Sequence, residues 1–175
     1  RLGENKFHLK GVTYGPFAPN SNGEPFATPG QTARDFERMR ELGSNLARVY
    51  DSPPLWLLDL AYEHGIRLLI DIPWNKHLCF LDSKILRDEA RDTVRRAVDN
   101  CKKHPAVFAF SVVNELSPDI VRCTGARAVA DFIGAPVDVA RAAHPYRPPP
   151  SRPLPPPERR PPPTLHLRPP PPHRP

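Results

Sequence analysis

The sequence predicts an α/β fold with a parallel sheet, built from four strand–helix units and followed by a basic, proline-rich tail. Three observations lead there. Strand-like and helix-like periods alternate from the N-terminus to about Ile133. Two of the strand segments, Ile66 to Ile72 and Ala106 to Val113, are near-continuous apolar runs, as expected of strands buried on both faces. Finally, 16 of the 26 prolines fall in the 31 residues from Pro145 to Pro175.

The elements follow in order. Phe7 to Tyr14, with Phe7, Leu9 and Val12, reads as a strand, and a turn-rich stretch runs from Gly15 to Gly30. Thr32 to Leu42 reads as a helix: Ala33, Phe36 and Met39 share a face, and Gly43 is a stop signal. Asn45 to Tyr50 is a short strand. Pro53 and Pro54 open a second helix, Leu55 to His64, which Gly65 closes. The third strand is Ile66 to Ile72. A long helix from about Ser83 to Lys103 places Ala90, Val94, Ala97, Val98 and Cys101 on one stripe. Pro105 prevents its continuation. Ala106 to Val113 is the fourth strand, and Ser117-Pro118-Asp119 starts a helix that runs to about Ile133.

The charge divides at the same place as the prolines. The chain of 175 residues carries a formal charge of +6. The 31-residue tail holds six Arg and one acidic residue, Glu158, which leaves the preceding 144 residues nearly neutral. Those residues suffice for one modest core. The tail has only Tyr146, Leu154, Leu165 and Leu167 as large apolar residues. It cannot bury enough surface to offset its ordering entropy, so disorder or polyproline II is expected from residue 134 onward. The Arg, Pro, His and Ala from residue 134 onward are also what a shifted frame of GC-rich coding sequence yields, which makes a frame slip near Ile133-Gly134 an alternative origin. No collagen period, disulfide framework or run of ~18 apolar residues occurs, so no membrane span is expected. Cys79, Cys101 and Cys123 lack zinc-type spacing and the His residues are scattered; no metal and no cofactor is expected.

Four alternating units fit either a doubly wound sheet or part of a (β/α)8 barrel. Tyr14-Gly15-Pro16-Phe17 stands where a nucleotide-binding sheet carries its glycine fingerprint. Polar and aromatic residues gather just after each strand: Tyr14; Arg48, Tyr50 and Asp51; Trp74 and His77; Asn114 and Glu115. In a barrel these positions form the catalytic face. Glu115, directly after an apolar strand, is a candidate general acid if apolar walls raise its pKa. The Asn114 amide suits a sugar hydroxyl, Arg48 suits bidentate orientation of a carboxylate or hydroxyl, and Trp74 offers a flat face for a sugar ring. Each has a plainer alternative: Asn114-Glu115 capping the next helix, Arg48 on the surface, Trp74 in the core, His77 in a loop.

Four segments together carry a resemblance. Phe7 to Val12 (FHLKGV), Asp35 to Arg48 (DFERMRELGSNLAR), His64 to Pro73 (HGIRLLIDIP) and His104 to Glu115 (HPAVFAFSVVNE) resemble, in order, the catalytic barrel of glycoside hydrolase family two. Val49 to Phe80 resembles hydrolase-like domains joined to processive glycosyltransferases in bacteria, which implies a place in a larger protein with a glycosyltransferase. The resemblance implies a truncated (β/α)8 TIM barrel over residues 1–133, strands one to four with their helices. It implies a carbohydrate substrate, Glu115 as acid/base of a retaining glycosidase, Asn114 on the 2-hydroxyl and Arg48 supporting the nucleophile. Tyr14, Trp74 and His77 fall where the family builds its pocket.

The departure from the family is large. A retaining mechanism needs a second carboxylate about 5–5.5 Å from the first. The family supplies it after the seventh strand, and a full barrel takes ~250 residues. The expected function is therefore a glycosidase-like domain inactive by itself. The alternative is a non-catalytic interaction protein using its tail: Arg147-Pro148-Pro149-Pro150-Ser151-Arg152-Pro153 fits a basic-x-x-Pro-x-x-Pro ligand for SH3-type grooves. Nucleic-acid binding is not expected, because the basic tail lacks interleaved aromatics.

Overall fold

The structure is a computed structural model that describes residues 8–74 and 80–143. His77, Cys79 and the proline-rich tail from residue 144 lie outside the described residues. Four strands, β1 (Gly11–Thr13), β2 (Leu46–Val49), β3 (Arg67–Asp71) and β4 (Val107–Ser111), form one parallel sheet in the order β1-β2-β3-β4. Neighbours in sequence are neighbours in the sheet, without the order reversal that defines a doubly wound fold. Among the described residues the topology is thus consistent with four consecutive units of a barrel.

The helices are α1 (Pro29–Glu41), α2 (Leu55–Glu63), α3 (Lys84–Cys101), α4 (Pro118–Thr124) and α5 (Ala126–Ala143). Helix α1 begins three residues earlier than its apolar period suggests. The reason is local: the Thr28 hydroxyl accepts from the Gln31 N–H, and Pro29 sits in the first turn, where its missing N–H costs nothing. The stripe on α3 is as its spacing predicts, with Ala90, Val94, Ala97, Val98 and Cys101 all buried, and the Ser83 hydroxyl caps its start.

The last helix differs from expectation. Instead of one helix to about Ile133 there are two, divided at Gly125, whose φ of 84° is open to glycine without steric cost. Ser117 makes no side-chain cap on α4. Helix α5 runs through the boundary expected at residues 133–134 and continues to Ala143, with Pro136 inside it. It does so because its amphipathic pattern persists: Val129, Phe132 and Ala140 are buried, and Arg91 of α3 lies 5.7 Å from the Phe132 ring centroid.

Strand register decides which side chains meet the helices. Ala47 and Val49 align with Leu68 and Ile70, and these pack against Phe36 of α1, Leu57, Leu58 and Ala61 of α2, and Cys101 of α3. Burial alone pushes the Cys101 thiol up to about 11, as suits an inert core thiol. The alternate positions share the opposite face. Thr13 aligns with Arg48, Arg48 with Leu69, and Asp71 with Ser111. The polar side chains of the sheet therefore gather on the face turned away from the helical core.

Candidate functional site

The site grows from the C-terminal ends of β2, β3 and β4. Parallel pairing brings these ends level, and the period of two turns Arg48 and Asp71 to the same side. Asp71 is 6% exposed. Its Oδ2 accepts from Arg48 Nη2 at 2.6 Å and from Arg48 Nε at 3.1 Å. The same Nη2 donates to Asn114 Oδ1 at 2.5 Å, tying the end of β2 to the residue just beyond β4 across 66 positions of sequence. The Tyr50 ring lies 5.1 Å from the Arg48 guanidinium carbon, a cation–π distance. The hydrogen bond to Asp71, opposed by burial and helped by the negative charges of Asp71 and Glu115, holds Arg48 above even its usual pKa.

Asn114 and Glu115 are both exposed. The apolar walls expected around Glu115 are therefore missing among the described residues, because the strand that precedes it is an edge of this sheet. Asn114, Arg48 and Glu115 thus form one group at the strand ends, with Asp71 beneath. Asp71 is the member that sequence reading missed. It terminates the apolar run Leu68-Leu69-Ile70, and a carboxylate in that position was the available signal.

Trp74 and Tyr14 stand apart from this group. The Trp74 indole N–H donates to the Val112 carbonyl at 2.8 Å, and its ring meets Phe80 and Phe132 edge-on, with centroids 5.1 and 5.9 Å away. It bridges the ends of β3 and β4 and anchors α5. A shallow hollow beside it is lined by Pro73, Leu86, Glu89, Ala90 and Thr93. Tyr14 is buried, and its ring packs on Phe17 and Phe36. Its hydroxyl donates to Asp35 Oδ2 at 3.0 Å and lies 3.3 Å from the Thr32 hydroxyl, so it seats α1 instead of lining the strand-end group.

Burial, aided by the Asp35 charge and opposed by Thr32, raises the Tyr14 pKa from 10.0 to about 12. The consequence has a definite sign. Between pH 10 and 12 the unfolded chain has lost a proton that the folded chain keeps. Tyr14 thus stabilises the fold fully below pH 10, and this contribution falls by about 1.4 kcal/mol per pH unit up to pH 12. Tyr14→Phe is expected to flatten the loss of stability over that window, measured by urea unfolding at pH 9.5 and above; an unchanged slope would refute the burial of this hydroxyl.

Among the described residues no group of three or more His, Cys, Asp or Glu is placed to hold a metal ion, and no helix is long and apolar enough to cross a membrane.

No family model matches the sequence, and no curated protein matches it. Solved structures do resemble it. A Bifidobacterium dentium β-glucuronidase, complexed with coumarin-3-O-glucuronide, is similar over 79% of this chain and 22% of its own, with 18% identity and a TM-score of 0.66. Bacteroides uniformis β-glucuronidase 2 matches over 78% of this chain and 17% of its own, with 17% identity and a TM-score of 0.61. A Ruminococcus gnavus β-glucuronidase matches over 77% and 22%, with 18% identity and a TM-score of 0.60. The chain spans less than a quarter of the length of each. At these identities the likeness is one of fold: the four parallel strands and their helices form a glycosidase-like α/β unit.

Proposed function

We propose that the chain is the acid/base half of a retaining glycosidase barrel of family two and contributes carbohydrate contacts to a larger site. The observation that carries this reading is the 2.5 Å bond from Arg48 to Asn114, with Glu115 as the next residue. It gathers at one strand-end face the three residues whose chemistry the reaction needs. Glu115 protonates the glycosidic oxygen, Asn114 binds the 2-hydroxyl, and Arg48 orients the group that faces it. The β-glucuronidase fold of the neighbours supports the same substrate class. In this reading His77 belongs to the pocket wall on the strength of its sequence alone, while Trp74 contributes by bracing the ends of β3 and β4 against α5. Tyr14 contributes by fixing α1 beneath β1.

The nucleophile belongs to the seventh strand of the family's barrel, beyond the four strands here. The chain alone is therefore inactive in hydrolysis, and it functions within a larger protein that includes a glycosyltransferase. Titration of the 15N-labelled chain with methyl β-D-glucuronide is expected to shift resonances of Arg48, Asn114 and Glu115, with no release of 4-nitrophenol from a panel of 4-nitrophenyl glycosides. Shifts confined to other regions, or none at all, would defeat the site assignment. Turnover abolished by Glu115→Gln would keep the acid/base and overturn the claim of inactivity.

A further inference from the structure

We propose that Asp71 is a positioning residue, which acts through Arg48 to fix the amide of Asn114 with its oxygen turned inward and its N–H2 edge turned toward the ligand. The proposal rests on the glycosidase reading only for the identity of that ligand; the fixed amide stands on geometry alone.

The pairing of Asp71 with Arg48 has an unusual form. A structural Arg–carboxylate pair gains most from two parallel bonds, one to each carboxylate oxygen. Here Oδ2 takes both Nε and Nη2, and Oδ1 is buried with no hydrogen-bond partner among the described residues. Leaving a buried carboxylate oxygen unpaired is costly. What the side-on arrangement gains is the direction of Nη2. That nitrogen sits 2.6 Å from Asp71 and 2.5 Å from Asn114, so its two protons serve both acceptors at once. The Tyr50 ring, 5.1 Å from the guanidinium carbon, holds the group from a further side.

The chemical consequence concerns the polarity of the site. An exposed Asn side chain ordinarily flips between two orientations, because its oxygen and nitrogen are nearly the same size. Arg48 has only donors, so the Asn114 atom facing it must be the oxygen. Asn114 then offers ligand two N–H donors and no free acceptor edge on that side. The site selects a ligand group that accepts, such as a hydroxyl or ring oxygen of a sugar, and disfavours an ammonium or other pure donor. Without the Asp71 charge beneath it, Arg48 is free to rotate toward solvent or toward Glu115, and Asn114 is free to present either edge.

The test needs no ligand, so it can fail independently of the glycosidase reading. In the 15N-labelled full chain, the Arg48 side-chain N–H signals and the Asn114 amide pair are followed through solvent exchange. Asp71→Asn keeps the shape and removes the charge. With the backbone spectrum unchanged, at least tenfold faster exchange of the Arg48 Nε proton and a shift of both Asn114 amide signals toward the positions of a free asparagine side chain are expected. Unmoved Arg48 and Asn114 signals in a folded Asp71→Asn chain would overturn the proposal. Should that buried change unfold the chain, Asn114→Ala decides, because it lies on the surface. It is expected to speed exchange of the Arg48 Nη2 protons at least tenfold, and no change there would overturn the proposal equally.

Discussion

Replacing Phe36 by alanine is expected to cost about 3–5 kcal/mol of folding stability, with a fall in Tm of roughly 10–20 °C. Phe36 is wholly buried on α1 and belongs to the largest apolar cluster, with Ala47, Val49, Leu68 and Ile70 of the sheet and Leu57, Leu58 and Ala61 of α2. Its ring lies 5.3 Å from that of Tyr14 and 6.3 Å from that of His64. Truncation removes contacts to three elements and leaves a cavity that none of them can fill alone, since each is held by its own backbone hydrogen bonds. A domain of this size has about 5–15 kcal/mol in total, so the variant loses a large part of it. Phe36→Leu refills most of the volume and is expected to cost clearly less. Urea unfolding of both variants measures the difference. A Phe36→Ala chain as stable as the parent would mean that α1 does not dock on the sheet as described.

Replacing Arg48 by alanine is expected to cost about 3 kcal/mol, at the lower end of the range for breaking a buried ion pair. The size follows from asymmetric burial. The Arg48 side chain is 28% exposed and the Asp71 side chain 8%. Removing the cation strands the deeper partner, whose Oδ2 loses both donors while Oδ1 has none among the described residues. The double variant Arg48→Ala, Asp71→Leu removes the stranded charge as well. It is expected to recover most of the loss, because an apolar side chain at position 71 has no desolvation to repay. Denaturant unfolding of the two variants and of Asp71→Leu closes the cycle. If Arg48→Ala costs under 0.5 kcal/mol, the pair behaves as an ordinary surface ion pair and the strand-end group is not preorganised.

Much of the fold is legible in the chain because local physics sets it. The spacing of Ala90, Val94, Ala97, Val98 and Cys101 can bury one stripe only as a helix, and the structure buries all five. The runs around Leu68 and Val107 are apolar enough to predict strands, and both are strands in the sheet; the burial on both faces expected of the second is not met, since β4 is an edge and only Val107 in it is buried. Element ends are less legible. Helix α1 starts at Pro29 because a single threonine hydroxyl is placed to cap it, and the cap lies inside a stretch whose composition reads as turns. The end of the last helix is misjudged at Ile133, since the small apolar residues of α5 continue a helical stripe to Ala143 among residues that resemble the tail in composition.

The site divides in the same way. The sequence by itself determined which residue types stand at the strand ends, since a polar residue after an apolar run is visible without a partner. Arg48, Asn114 and Glu115 are legible on that ground. Trp74 and Tyr14 are equally visible as residue types, yet their polar atoms go to Val112, Asp35 and Thr32, a choice made by packing. Only the tertiary structure decided that Asp71 belongs with Arg48 and Asn114. Strand register is a contact between segments 23 and 66 residues apart, and the direction of a hydrogen bond depends on where both partners lie. Residue types fix what chemistry is available; the pairing of β2, β3 and β4 fixes which of those groups face one another.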